Sequence, residues 1–391
     1  MSKFNISIQT KHPPEFTTLS SADFKGGLNP NIPPLKRNLA SKFPPLKGGK
    51  RGCHLFLTIF IILLTSVAIY PQTTWQKQSC PIQDGLHNIF FVNDSLGWAI
   101  TYGTGILIHT TDGGMNWNVQ YQFDSLYFEQ IQFVDKNNGW ICGEYGFVVK
   151  STDGGTNWID VSPPIEQRIS TPIDWSSKTK PEGWYIGYYS MHFFNKDTGF
   201  VAGQKLNLVE NKREYIFYNT QDGGKSWQSN PIAPNEMTFD PYFIDKQTGF
   251  IGGTTNIYKT KDAGIHWNTI TREKITLKDQ LRSVFFFNES KGWACSFSGK
   301  VFIINRVDSK WDSVKVSNNR LRSVCFRNEK NGIVVGDQNK EAGSMFESND
   351  GGKTWNKVAV DFADLHRIFL TNTKIWIVGK EGTILVRDRE W

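Results

Sequence analysis

The sequence predicts an all-β chain, a seven-bladed β-propeller of four-stranded antiparallel blades, and three observations predict it. First, the pattern Ser/Thr-x-Asp-x-Gly-x-x-Trp, an Asp-box turn, recurs at Thr110–Trp117, Ser151–Trp158, Thr220–Trp227, Thr260–Trp267 and Ser348–Trp355. Second, a Gly-aromatic pair or its equivalent stands upstream of each of these five copies and of two shortened ones. These pairs are Gly97-Trp98, Gly139-Trp140, Gly199-Phe200, Gly249-Phe250, Gly292-Trp293, Gly332-Ile333 and Ile375-Trp376, each preceded by a short apolar run. Third, the chain holds 35 Gly, 28 Phe and 14 Trp and shows no helical heptads, which suits turns and sheet interfaces rather than helices.

From the N-terminus, Leu55–Tyr70 is a short apolar run behind Lys47, Lys50 and Arg51, with small residues at Ser66 and Ala68. It is short for a bilayer span and reads as a cleaved secretory signal rather than an anchor. Residues 54–70 are its core. Residues 1–53 read as a disordered or mis-assigned leader, because Pro33-Pro34-Leu35-Lys36 and Pro44-Pro45-Leu46-Lys47 echo one another in a segment too polar to fold. The expected true start lies near Lys47. The propeller is assigned to 73–391, and export places it in a periplasmic, extracellular or outer-surface compartment, lumenal in a photosynthetic organism.

The charge follows the same division. Of the formal +7, the first 72 residues hold nine Lys/Arg and two acids, so 35 bases and 35 acids remain for the body. A neutral body gives no support to nucleic-acid binding. Cys142 and Cys295 share one repeat position in distant blades and cannot meet as a disulfide; with Cys325 they read as buried residues. No His or Cys spacing suits a metal, and no cofactor motif is visible.

The Asp-box residues carry mechanical roles. The carboxylates of Asp112, Asp153, Asp222, Asp262 and Asp350 are expected to cap backbone N–H groups of the hairpin, as turn residues rather than catalytic acids. Trp117, Trp158, Trp227, Trp267 and Trp355 are expected to pack between blades. Asp308–Trp311 and Asp388–Trp391 are shortened copies. The last repeat has no room for a fourth strand, and Thr73–Gln78 resembles the strand after each Asp-box; it is expected to close the seventh blade.

Gly139-Trp140-Ile141-Cys142-Gly143-Glu144-Tyr145-Gly146 followed by Ser151-Thr152-Asp153-Gly154-Gly155-Thr156-Asn157-Trp158 resembles the photosystem II stability/assembly factor family. The resemblance covers residues 73–391. It implies a seven-bladed propeller, and a role as assembly chaperone for a reaction-centre subunit in photosynthetic organisms, helped by an arginine-rich surface. Similar sequences occur in bacteria with no photosynthesis.

Two features exceed the needs of the repeat, both on the face opposite the Asp-boxes. The link 159–188 is some twenty residues longer than its counterparts. It holds Trp175 and Trp184, outside the repeat positions, with Tyr185, Tyr188 and Tyr189 beside them. Aromatics there favour protein or glycan contact; packing the long link down is the alternative. The innermost strands of neighbouring blades begin Leu281-Arg282, Leu321-Arg322, Leu365-His366 and Leu86-His87, so Arg282, Arg322, His366 and His87 are expected to form a cationic arc at the channel mouth. Glu144 and Tyr145, in a nearby loop of the same face, are further partner-contact candidates, and pairing of the arc with local acids such as Glu144 and Asp337 is the alternative there.

The expected function is a non-catalytic binding or assembly propeller, monomeric, whose partner is a membrane or envelope protein. The alternatives are an extracellular glycan-binding module or a glycoside hydrolase of sialidase-like type. The latter would need an early Arg-Ile-Pro motif; Gln167-Arg168-Ile169-Ser170 is the nearest match and lies inside the insertion.

Overall fold

In a computed structural model the described residues are 74–389, apart from 125, 170–172, 174–176, 178, 232–233, 272–274, 306–310, 338–343 and 360–363. The leader, the apolar run 54–70, Cys53, Trp175 and the turns of both shortened Asp-boxes lie outside them. The described residues form seven antiparallel four-stranded sheets. Their innermost strands, in blade order 1 to 7, are Leu86–Phe91, Phe128–Phe133, Trp184–Phe193, Thr238–Phe243, Leu281–Phe286, Leu321–Phe326 and Leu365–Leu370. No helix among the described residues is long and apolar enough to cross a membrane.

Closure follows the sequence expectation. Gln76–Lys77 pairs antiparallel with Ile384–Asp388 as the outer strand of blade 7, with Gln76 opposite Val386. Trp75 packs into the adjoining core beneath the Arg387 guanidinium, 4.4 Å from the ring centroid. Trp75→Ala should therefore loosen the ring, lowering stability by about 2 kcal/mol in chemical denaturation, the worth of one large apolar side chain.

The Asp-box turns share one geometry. In the first, Asp112 Oδ1 accepts from Asn116 N at 2.9 Å, and the Thr110 hydroxyl donates to the same oxygen while accepting from Gly114 N. Equivalent bonds to the residue four positions on occur at Asp153, Asp222, Asp262 and Asp350. The Ser226 hydroxyl and N–H hold Asp222 down to about 2, the opposite of what a proton-donating acid needs.

The Gly-aromatic pair has a second mechanical role. A Cβ at Gly139 would lie 2.5 Å from Phe133 ring atoms, and the same close approach recurs at Gly97, Gly199, Gly249, Gly292 and Gly332. Each glycine lets the last Phe of its own inner strand lie flat on the blade. The other face of that Phe ring meets the aromatic residue of the preceding blade. Trp98 stacks on Phe133 at 3.7 Å, Trp140 on Phe193 at 3.8 Å, Phe250 on Phe286 at 3.5 Å and Trp293 on Phe326 at 3.6 Å. Blade 7 has Ile375 in place of the glycine and Leu370 in place of the Phe, so both members of the pair change together.

The stacked Trp also bonds the next blade's Asp-box. Trp98, Trp140 and Trp293 donate their indole N–H to the carbonyls of Gly154, Gly223 and Gly351. The two repeated motifs thus form one joint between neighbouring blades.

Candidate functional site

Every innermost strand carries a register shift, at 86/88, 128/130, 188/190, 239/242, 281/283, 321/323 and 365/367, near the strand start except in the longer strand of blade 3. A bulge leaves one residue unpaired and re-aims its side chain. The residues left unpaired give a ring at the channel mouth, on the face opposite the Asp-boxes: His87, Glu129, Tyr189, Asp240 with Pro241, Arg282, Arg322 and His366.

The structure brings the four expected residues of the arc together, and they line one small cavity. It also corrects their charge. His87 Nε2 meets Glu129 Oε2 at 3.1 Å, and Arg282 Nη2 approaches the same oxygen at 3.6 Å from across the channel. Arg282 lies 4.6 Å over the Phe239 ring. Arg322 is paired with Asp337, and Arg367 with Asp240. Burial, with His87 and Arg322 nearby, brings His366 down to about 3, so it is neutral. Its Nδ1 donates to the Leu86 carbonyl at 2.8 Å. The mouth is therefore an ion-paired ring of three arginines and three carboxylates, not a free cationic arc. Pairing wins because a charge this far from water needs a partner.

Glu129 is the residue that sequence reasoning missed. Burial pushes its carboxyl up, but His87 and Arg282 override this and hold it below the ordinary value. The signal was present: Phe128-Glu129-Gln130-Ile131 occupies the same repeat position as Leu86-His87-Asn88-Ile89.

Below the ring the channel widens to about 400 Å³, lined by polar residues that include Asn88, Gln130, Ser283 and Ser323. These side chains stitch blade to blade. Gln130 Oε1 accepts from Met191 N at 2.6 Å, Ser323 Oγ from Ile368 N at 3.2 Å and Ser283 Oγ from Val324 N at 3.4 Å. Asn88 Nδ2 donates to the Glu129 carbonyl. The polar wall satisfies inner-strand backbone groups that would otherwise face the channel.

Asp337, Asp364 and His366 place ligand-type atoms within 4.8 Å of one another. Both carboxylates already hold cations, Asp337 through Arg322 and Asp364 through Lys380 at 2.5 Å.

The long link and blade 3 form one unit. The inner strand of blade 3 is ten residues long, and the strands Gly199–Asn207 and Lys212–Thr220 have nine each. The turn between these two strands is confined to 208–211. The link runs back along the extended inner strand. Ile169 N donates to Trp184 O and Trp184 N to Gln167 O. Arg168 Nη1 reaches Gly146 O at 2.8 Å.

The surplus aromatics need a correction as contact residues. Tyr188 is fully buried in the interface between blades 2 and 3. Tyr145 and Tyr185 join Ile169 and Ile173 in a satellite core beneath the link. Such a protruding extension needs its own core, which these side chains supply. Tyr189 is half-buried and accepts from Gln204 Nε2 at 3.3 Å. Glu144 accepts from the Tyr102 hydroxyl at 2.7 Å, and burial raises its carboxyl. Trp184 remains half-exposed, with Lys205 Nζ 4.5 Å and Lys212 Nζ 5.7 Å from its ring centroid.

Seven closed blades, interlocked Asp-boxes and a channel sealed by ion pairs on the loop face define an Asp-box β-propeller. A family described as Photosynthesis system II assembly factor YCF48 matches residues 67–172 and 303–390. The chain is a photosystem II stability/assembly factor-like seven-bladed propeller. It is 28% identical over 141 residues to Photosystem II assembly protein Ycf48 of Thermosynechococcus vestitus, a match spanning 35% of this chain and 36% of that protein. With Photosystem II assembly lipoprotein Ycf48 of Synechococcus sp. the identity is 23% over 66% of this chain and 71% of the relative. A solved structure titled YCF48 bound to D1 peptide superposes with a TM-score of 0.56 at 18% identity, covering 80% of this chain and 96% of that one, a likeness of fold.

Proposed function

We propose that the chain is an exported, non-catalytic binding propeller that holds a segment of a membrane or envelope protein on its loop face, in the manner of an assembly chaperone. The match to assembly factors carries this reading; one solved relative is titled as bound to a peptide. The protruding blade 3, braced by its own link and satellite core, is the part of this face built beyond the repeat, and loops and extensions on a rigid scaffold are the usual carriers of binding. The apolar run Leu55–Tyr70 supports export, and one relative is named a lipoprotein. A hydrolase needs one carboxylic acid free to donate a proton. Glu129, Asp240 and Asp337 are each tied to an arginine, and Glu144, whose carboxyl burial raises, accepts from the Tyr102 hydroxyl.

Site-specific photocrosslinking in the native envelope tests the reading. Tyr102 on the loop face is 43% exposed and Met115 on the Asp-box face is 70% exposed. A crosslinker at position 102 should trap a membrane protein, and one at 115 should not. Equal trapping from both faces, or recovery of polysaccharide alone, would overturn it.

A further inference from the structure

The extension of blade 3 has two edges, and the chain treats them differently. The inner edge, along Trp184, is sealed by the link through its backbone bonds to Gln167 and Ile169. The outer edge is the strand Lys212–Thr220, whose neighbour Gln228–Ser229 covers Tyr218 and Asn219 only. Asn230 N extends that cover to the Phe217 carbonyl. Beyond it, Lys212–Ile216 pairs on one side alone, with Gln204–Asn207 and Gly203.

Backbone direction alternates along an antiparallel strand. Since the Phe217 carbonyl faces outward, the N–H and C=O of Tyr215 and Arg213 face outward too. Among the described residues nothing bonds these four groups. The exposed edge is about 17 Å long, five residues at strand rise.

We propose that this edge takes up an extended peptide segment of the partner as a further β-strand, an antiparallel one with an apolar residue opposite Tyr215 and an acidic residue opposite Arg213. The proposal rests on the reading of the chain as a protein-binding propeller and gives that reading a recognition mode. The side chains choose the occupant. Arg213 is exposed and has no ion-pair partner among the described residues, whereas Glu214 is already held by Lys205 and Lys212 at 2.7 Å each. The free charge at the edge is thus positive and calls for an acid across the strand pair. A second copy of this chain fits poorly. A two-fold axis at Glu214 sets Glu214 against its own image, and one at Arg213 does the same for the arginine. Like charges directly opposite are destabilising. The lysines and glutamate flanking the edge also guard against such self-pairing.

The test uses the full chain and a fluorescent peptide, Thr-Thr-Val-Thr-Glu-Thr-Thr, read by anisotropy. Its valine and glutamate are two positions apart, as the antiparallel register requires. Tyr215→Pro removes the outward N–H but no bond to the neighbouring strand, since proline is tolerated where an edge N–H faces solvent. It should weaken binding at least about tenfold while the melting temperature holds. Arg213→Glu should weaken the same peptide and strengthen one with lysine in place of glutamate. If Tyr215→Pro stays folded and binds the peptide as the parent does, or if Arg213→Glu leaves both peptides unchanged, the edge is not the site. Partner crosslinking from position 102 that persists in Tyr215→Pro would overturn the edge and leave the binding function standing. Peptide capture by the edge with no envelope partner crosslinked would do the reverse.

Discussion

Trp293→Ala should be among the most destabilising single changes in this chain, costing about 3–5 kcal/mol. The side chain is fully buried, stacks on Phe326 of the next blade at 3.6 Å, and donates its N–H to Gly351 O at 2.9 Å. Truncation opens a cavity between blades 5 and 6. It also leaves the Gly351 carbonyl, inside the Asp-box of blade 6, without its donor. Both consequences fall on one joint, so the melting temperature should drop by roughly 5–10 °C. Trp293→Phe keeps a six-membered ring on Phe326 and loses the N–H with the rest of the indole, so the cost should shrink to about 1–2 kcal/mol. Trp184→Ala is the contrasting control. That ring is half-exposed at the edge of the core between blades 2 and 3 and stacks on no ring of a neighbouring blade among the described residues, so its loss should stay near or below about 1 kcal/mol. Chemical denaturation of the three variants decides the matter. If Trp184→Ala proved as costly as Trp293→Ala, the inter-blade joint would not be what holds the ring together.

The contrast between these two tryptophans shows what the sequence made legible. Residues whose role is set by local geometry could be read directly. The Asp-box carboxylate acts on a backbone N–H four positions on, and the glycine before Trp140 is required by a Phe six positions back. Both lie within one repeat, so repetition exposes them. The closing strand could be read because it resembles its counterparts. The joint between the Gly-Trp pair and the next Asp-box links residues such as Trp293 and Gly351, and nothing in either motif names the other.

The same limit explains the tyrosines. Tyr185, Tyr188 and Tyr145 looked surplus to the repeat, hence available. Their burial follows from the length of the blade 3 strands, and the short apolar, aromatic-rich run 184–193 was a strand signal that the Gly-Trp framework masked. At the channel mouth the basic residues stood out as a recurring Leu-Arg-Ser. Their acidic partners come from a different repeat position in the case of Asp337, and from the same position with opposite sign in the case of Glu129. Charge balance across a ring is a property of the closed propeller. A single repeat does not contain it.

Glu129 therefore carries the second large expected effect. Its carboxylate is almost wholly buried, with one oxygen shared between His87 and Arg282. Glu129→Ala leaves Arg282 buried beside His87 with no counter-charge, and breaking a buried pair by removing one partner costs about 3–5 kcal/mol. Removing both charges is a different matter. Glu129→Leu combined with Arg282→Leu should recover most of that loss, because apolar packing replaces a pair whose desolvation offset much of its attraction. The pH dependence has a definite sign. The folded carboxyl titrates below its ordinary value, so its contribution is complete above the unfolded value of about 4.3 and is lost as pH falls through the lower folded value. The stability gap between the parent chain and Glu129→Gln should thus be full at pH 7 and close on acidification below about pH 4. Urea titrations at a series of pH values measure this gap. A gap that widened on acidification would mean that Glu129 is protonated in the folded ring, and that Arg282 is held at the mouth by the Phe239 ring rather than by charge.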